Sequence, residues 1–226
     1  MSTSIITVSG CTVDLSADVI HVPIEDVAHS LAYKPRFNSQ MNTFIGNGKC
    51  VRLYTVAHHS LRVSYLVPPQ FALDALLHDA HESLTGDIPT PVKVLLRAQT
   101  DALDRMEASV TRAIRVGLGM PPEASQEATE AIGKADKAAL LEEVPTCFSV
   151  QALRAWLNLG YDIDPKFRYG RIPDPDSTKR YFCARYHELT SPVASGTQSL
   201  WERHGWGVVR KAHPPDLRRD YQPIPL

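Results

Sequence analysis

His78-Asp79-Ala80-His81-Glu82-Ser83-Leu84-Thr85-Gly86-Asp87 places a His-Asp dipeptide, a glutamate and a second aspartate within about three helical turns. Just upstream, Leu73, Leu76 and Leu77 supply the apolar face of a helix that begins near Pro69, with Leu84 a further turn on. On a continuous helix His78 and Glu82, four apart, lie one above the other. Asp79 can swing its carboxylate to the same point in space. One imidazole nitrogen and one carboxylate oxygen could then grip a single divalent cation, with Glu82 a turn away. That donor set suits Zn, Mn, Co or Fe better than Ca. A solvated helix face carrying the same residue types competes with this reading, and a His-Asp pair alone would favour it.

Further ligands decide between the two. Tyr54-Thr55-Val56-Ala57-His58-His59-Ser60-Leu61-Arg62-Val63 reads as a helix start, with Thr55 as N-cap and Val56, Leu61, Val63 and Leu66 apolar. Either His58 or His59 could face the His-Asp segment. Between Ala128 and Leu141 an apolar stripe runs through Ala128, Ile132, Ala135, Ala139 and Leu140, and Asp136 lies beside it. A carboxylate there is either salt-bridged or bound to metal, because an unpaired one is costly to desolvate.

The order His59, His78-Asp79, Asp136 resembles the H…HD…D ligand set of the HD-domain metal-dependent phosphohydrolases. Val56-Ala57-His58-His59-Ser60 is similar to the VAEHS or VAQHS segment of the YfbR-type 5′-deoxynucleotidases, which puts the ligand on His59 and His58 in the variable place. The sixteen residues from His78 to Lys93 resemble that family's HDASE…TGDLPTPVK run almost residue for residue. Ile24-Glu25-Asp26-Val27-Ala28-His29-Ser30-Leu31 and Arg36-Phe37 are similar to the IEDIAHAL…RF segment of the short HD phosphohydrolases common in bacteriophage genomes. The resemblance spans roughly residues 20 to 145. It implies an all-α HD-domain helical bundle holding a divalent transition metal (Co, Mn or Zn, with Mg possible) on His59, His78, Asp79 and Asp136. It also implies a homo-oligomer, a dimer or larger.

Composition agrees. At 226 residues with 43% hydrophobic and 22% charged, the chain is a globular protein large enough for one substantial core. The net charge of −1 and the lack of a basic tract argue against a nucleic-acid partner; Lys179-Arg180 and Arg218-Arg219 read as solvated spots. Cys11, Cys50, Cys147 and Cys183 form no C-x-x-C pair, so free thiols in a reducing compartment are expected. No leader or membrane-length apolar run is evident, which points to the cytoplasm, the host's if the protein is phage-encoded.

Along the chain, Ile5 to Val13 around Ser9-Gly10 suggests a short N-terminal β-hairpin before a helix at about 24–33. Ser39 to Gly48 reads as an insertion in the following loop. Helices are expected at about 55–67, 70–85, 90–97, 100–118 and 122–143, punctuated by Pro68-Pro69, Gly86 and Pro121-Pro122. Residues 1–145 form the HD core. Residues 146–226 form a C-terminal extension with helices at 149–159 and 178–189, and they hold Trp156, Trp201 and Trp206, which read as packing residues.

The ligand set permits a mechanism in which the metal activates a water and offsets charge at phosphorus. Glu82 is placed to take the water's proton. By the resemblance, Arg36 clamps the phosphate, Phe37 stacks on or walls the base, and Asp87 and Thr90 contact sugar or phosphate; Arg52 competes as the phosphate ligand, and Gly86-Asp87-Ile88-Pro89 is also a good turn sequence. His29 and His81 read as structural or supporting. Three activities follow: hydrolysis of deoxynucleoside 5′-monophosphates, release of triphosphate from a deoxynucleoside triphosphate, or nucleotide binding without catalysis. The complete ligand set with Glu82 argues against the last.

Overall fold

The computed structural model describes residues 2–41, 53–167, 169 and 172–191. Strands β1 (Ser4–Ile6) and β2 (Thr12–Asp14) pair antiparallel with Ile5 opposite Val13, and Gly10 takes the positive φ of 86° that their turn requires. The expected hairpin is therefore present. Its Thr7 and Ser9 hydroxyls both donate to the buried Asp26 carboxylate in α1 (Ile24–Ala32), tying hairpin to helix. Ile24, Val27, Ala28 and Leu31 recur at helical spacing and face the core.

Helix α2 (Val56–Leu66) is the central element, packed against α1, α3 (Ala72–Leu76), α7 (Gln126–Cys147) and α9 (Pro175–Thr190). Being covered on several sides explains why it buries polar residues, His58, His59, Ser60 and Ser64, along with Val56, Ala57, Leu61 and Val63. The main core joins Leu31, Leu61, Leu76 and Phe182 to Val110, Ala113 and Ile114 of α6 (Ala102–Gly117). Between α3 and α6 come α4 (Glu82–Thr85) and α5 (Thr90–Arg97), and α8 (Val150–Asn158) follows α7. Among the described residues no helix is long and apolar enough to cross a membrane.

The architecture is the expected helical bundle with a small hairpin, but three expected elements differ. The helix anticipated over 70–85 is not continuous. It stops at Leu76, and the Ala80, Glu82, Ser83 and Leu84 N–H groups reach back only three residues, four-residue helical bonds returning only at the Thr85 and Gly86 N–H groups as α4 ends. The His78 ring causes part of this, since its Nδ1–H donates to the Ala75 carbonyl at 2.8 Å and occupies an acceptor at the helix end. The stacked i, i+4 relation of His78 and Glu82 is thereby replaced by a turn. Second, α7 runs past the expected end at 143 to Cys147, with Pro145 in its last turn, so position 145 is not a break between elements. Helix α9 is also longer at its start than the expected 178–189, because Asp174 caps it by accepting from the Ser177 N–H and Pro175 fits its first position.

The expected insertion over Ser39–Gly48 lies almost wholly outside the described residues, as do Cys50, Arg52, Trp201, Trp206 and Arg218-Arg219.

Candidate metal centre

Three elements deliver the site. Helix α2 presents His59, the turn after α3 presents His78 and Asp79, and α7 presents Asp136. Ligand atoms of His59, His78 and Asp79 lie within 4.8 Å of one another, the one such His/Cys/Asp/Glu group among the described residues. The Asp79 Oδ2 is 3.2 Å from His78 Nε2 and 3.8 Å from His59 Nε2. Asp136 joins through His59: its Oδ1 is 2.9 Å from His59 Nε2, and its side chain stays half exposed while the group of three closes without it.

The donor set fits a divalent transition metal. Both imidazoles have their far nitrogen held by an acceptor, His78 Nδ1 by the Ala75 carbonyl and His59 Nδ1 by Glu143 Oε1 at 2.5 Å. That holds each Nδ1 in a hydrogen bond and aims Nε2 into the cluster, the orientation that metal-ligating histidines generally require. His59 Nε2 is fully buried and faces two carboxylate oxygens, Asp136 Oδ1 at 2.9 Å and Asp79 Oδ2 at 3.8 Å. A buried nitrogen in this setting is consistent with a cation as its partner.

Electrostatics point the same way. Burial and the Arg36 cation push His59 down, yet Glu143 and Asp136 outweigh them and bring it up to about 9. Asp79 resists its burial and is held well below the usual carboxylate range by His78, His59 and Arg36. A place that draws a proton to His59 and keeps Asp79 ionised favours positive charge. Glu82 behaves oppositely. Burial, with the Asp79 and Asp87 carboxylates nearby, pushes it up to about 9, and its Oε2 is buried without a hydrogen-bond partner. Asp87 is raised by its own burial, against the pull of Arg36.

Arg36 sits in the short 3-10 turn Arg36–Ser39, pinned by its N–H to the Tyr54 carbonyl. Its Nη2 donates to Glu143 Oε2 at 3.3 Å, while its buried Nε has no partner. Phe37, at φ 56°, lies edge-on against Phe148 at 5.0 Å and Trp156 at 6.2 Å between ring centres. Its ring is thus partly taken up by α8 and the end of α7, and Trp156 does have a packing role. Thr90 is exposed at the first turn of α5, whereas Asp87 is partly buried within the charge field of the site. His81 is buried near Glu107, and neither of its ring nitrogens is hydrogen-bonded.

Of the two histidines left open by the sequence, His59 faces the cluster. His58 turns the other way: its Nδ1 accepts from the Thr55 N–H at 3.1 Å, and Nε2 meets the Thr178 hydroxyl at 2.8 Å. The sequence reading missed Glu143. Its only signal was a spacing of seven residues from Asp136, two turns along one face of α7.

Residues 51–143, which carry all four expected ligands, match the family described as 5′-deoxynucleotidase YfbR-like. The chain is 39% identical over 101 residues to the uncharacterized protein YfdR of Escherichia coli, an alignment covering 45% of this chain and 49% of that one, so it spans about half of that relative's length. An uncharacterized protein of Rhodobacter capsulatus is 31% identical over 179 residues, 74% of this chain and 85% of its own. With similarity to the second relative extending over most of both chains, and the family match spanning α2 to α7, this chain belongs to the YfbR-like 5′-deoxynucleotidase family.

Proposed function

We propose that this protein is an HD-type metal-dependent phosphohydrolase that removes the 5′-phosphate from deoxynucleoside monophosphates. The observation that carries the reading is the closed group of His59, His78 and Asp79, with both imidazoles locked by acceptors on their far nitrogens. Family membership supports the reaction class.

In this reading His59, His78, Asp79 and Asp136 hold a divalent cation such as Co, Mn or Zn. When bound, the cation supplies a Lewis acid toward the phosphate and lowers the pKa of water. The chain's own residues do the rest. Glu82, buried with one oxygen unpartnered, is the group that takes the proton from the attacking water, and its raised pKa would fall toward neutrality if a divalent cation were held by the ligand set. Water attacks phosphorus, the bond from phosphorus to the 5′ oxygen breaks, and that oxygen leaves as the nucleoside hydroxyl after taking up a proton. Arg36, whose buried Nε lacks a partner, offers a fork for the phosphate oxygens. Asp87 contacts sugar or phosphate, Phe37 walls the base with its free face, and Thr90 lies at the rim. In this reading residues 1–145 carry the chemistry, and the described residues beyond them serve as support, Phe182 and Trp156 packing back on the core.

A second substrate reading, release of triphosphate from a deoxynucleoside triphosphate, is favoured by additional positive charge. Lys34 and Lys93 both act electrostatically on the Glu82 carboxylate. Incubation with each of the four deoxynucleoside mono- and triphosphates, with and without Mn or Co, separates the readings. Inorganic phosphate with free nucleoside supports the first, and triphosphate the second. No product from any nucleotide with either metal would remove both.

A further inference from the structure

Glu143 is fully buried, and it touches two groups that the reaction uses for different purposes. Its Oε1 is 2.5 Å from His59 Nδ1, and its Oε2 is 3.3 Å from Arg36 Nη2. The three residues come from separate places in the chain: the turn after α1, the first turn of α2, and α7. Its sequence neighbour Glu142 is a useful contrast. Glu142 grips Arg62 through both oxygens and meets the Tyr169 hydroxyl, at a partly exposed position where such ties hold elements together. A carboxylate removed wholly from water is a poor stabiliser by comparison, because apolar residues of similar size usually do as well or better. Its two partners give it a reason to be there.

We infer that Glu143 is a positioning residue that couples the phosphate clamp to the metal ligand, a role that rests on the function proposed above. Through Oε1 it fixes the His59 tautomer with the proton on Nδ1, leaving Nε2 to face His78 and Asp79. Through Oε2 it holds one end of the Arg36 guanidinium, so that the unpartnered Nε edge remains for phosphate. One carboxylate therefore sets the relative position of cation and phosphate clamp. A neutral amide cannot do both, since an oxygen that accepts from His59 leaves an NH2 facing Arg36, and the reverse orientation leaves an NH2 facing His59.

The test uses the full-length protein stripped of metal, with Co2+ alone as the first probe and inorganic phosphate on the Co-loaded protein as the second. Glu143→Gln should weaken Co2+ binding by about 10–100-fold. It should also weaken phosphate binding at least about fivefold, because the charge-assisted clamp is misplaced. The metal-free wild-type protein should show a strongly hydrogen-bonded His59 Nδ1 proton by NMR that is lost or shifted in Glu143→Gln. The control Glu142→Gln should lower thermal stability and leave both affinities within about twofold, as expected for an independent site. Co2+ binding within about twofold of wild type in Glu143→Gln would make Glu143 a buried structural charge and overturn the inference. Unchanged phosphate binding would overturn the coupling. Should Glu143→Gln fail to fold, Arg36→Gln with Glu143→Gln removes both charges of the pair; against Arg36→Gln alone it should show the same loss of Co2+ affinity, and equal affinities overturn the role. A wild-type protein that binds no Co2+, Mn2+ or Zn2+ would instead sink the metal reading itself.

Discussion

Adjacent imidazoles on α2 look into opposite regions of this molecule. His58 faces the N-terminal end of α9, where its ring nitrogens meet Thr55 and Thr178 and its ring stacks on Tyr54 at 5.2 Å. His59 faces α7 and the turn after α3, where three carboxylates lie around it. One residue along a helix is a rotation of about 100°. Burial dominates at His58 and pushes it down to about 4, whereas at His59 burial and Arg36 are outweighed by Glu143 and Asp136 and the ring rises to about 9. The same side chain is thus a neutral strut on one side of α2 and a cation-seeking ligand on the other. Neighbouring charge, more than burial itself, decides which.

The strongest challenge to this division removes a carboxylate from the His59 side. Asp79→Ala should abolish metal binding, measured by elemental analysis of the purified protein, and reduce phosphate release at least about a thousandfold. Metal retained at wild-type stoichiometry would mean that the His59 side is an ion-pair network and the contrast with His58 is only one of pKa. Glu82→Gln sharpens the same side, since it takes away a proton acceptor without taking a ligand. Turnover should fall by roughly a hundredfold or more while metal content stays at the wild-type level; matched metal loss in both variants would reassign Glu82 as a ligand.

The His58 side should answer in stability instead. His58→Ala leaves a cavity and unpairs the Thr55 N–H and a Thr178 lone pair, and it should cost roughly 3 kcal/mol in denaturant unfolding. The kcat/KM of the folded fraction should stay within about threefold. A collapse of activity at unchanged stability would show that the two faces of α2 are not separable. The smallest effect is in pH. Because folded His58 titrates near 4 and an ordinary imidazole near 6.5, the unfolded chain takes up a proton first as pH falls, so stability drops across that window. From pH 6 to 4.5 the His58 share of that drop is about 2 kcal/mol. His59 has the opposite sign in the metal-free protein, its contribution being present below about 6.5 and lost as pH rises through about 9. Comparing unfolding of wild type with His58→Gln over the acid window isolates the first; an identical slope in the two proteins would remove the strut from the pH account.

Much of the scaffold was legible. Helix α5 spans Thr90–Arg97, as Pro89, Pro91 and the following turn imply, and α1, α2, α6 and α8 lie within a few residues of their expected ends. Those boundaries follow from local features: capping residues, prolines and apolar spacing. The interrupted helix around His78 was not legible, because apolar spacing continues through Leu84 and nothing in it reveals that the imidazole will bond back to Ala75. Phe37 carries an aromatic label that suits a substrate wall, and only the approach of Phe148 and Trp156 shows that part of its ring is already in contact.

The sequence by itself determined the helical class, the N-terminal hairpin, the order of the candidate ligands and the chemistry their donors allow. Each is a property of residue type and short-range spacing. Tertiary structure decided which histidine of the pair faces the cluster, that Asp136 approaches through His59, and that Glu143, 84 residues beyond His59, closes behind it. Those outcomes depend on the rotation and height of α2 against α7, which are set by side-chain packing across the core. Spacing along the chain carries the ligands' order, and only packing brings them together.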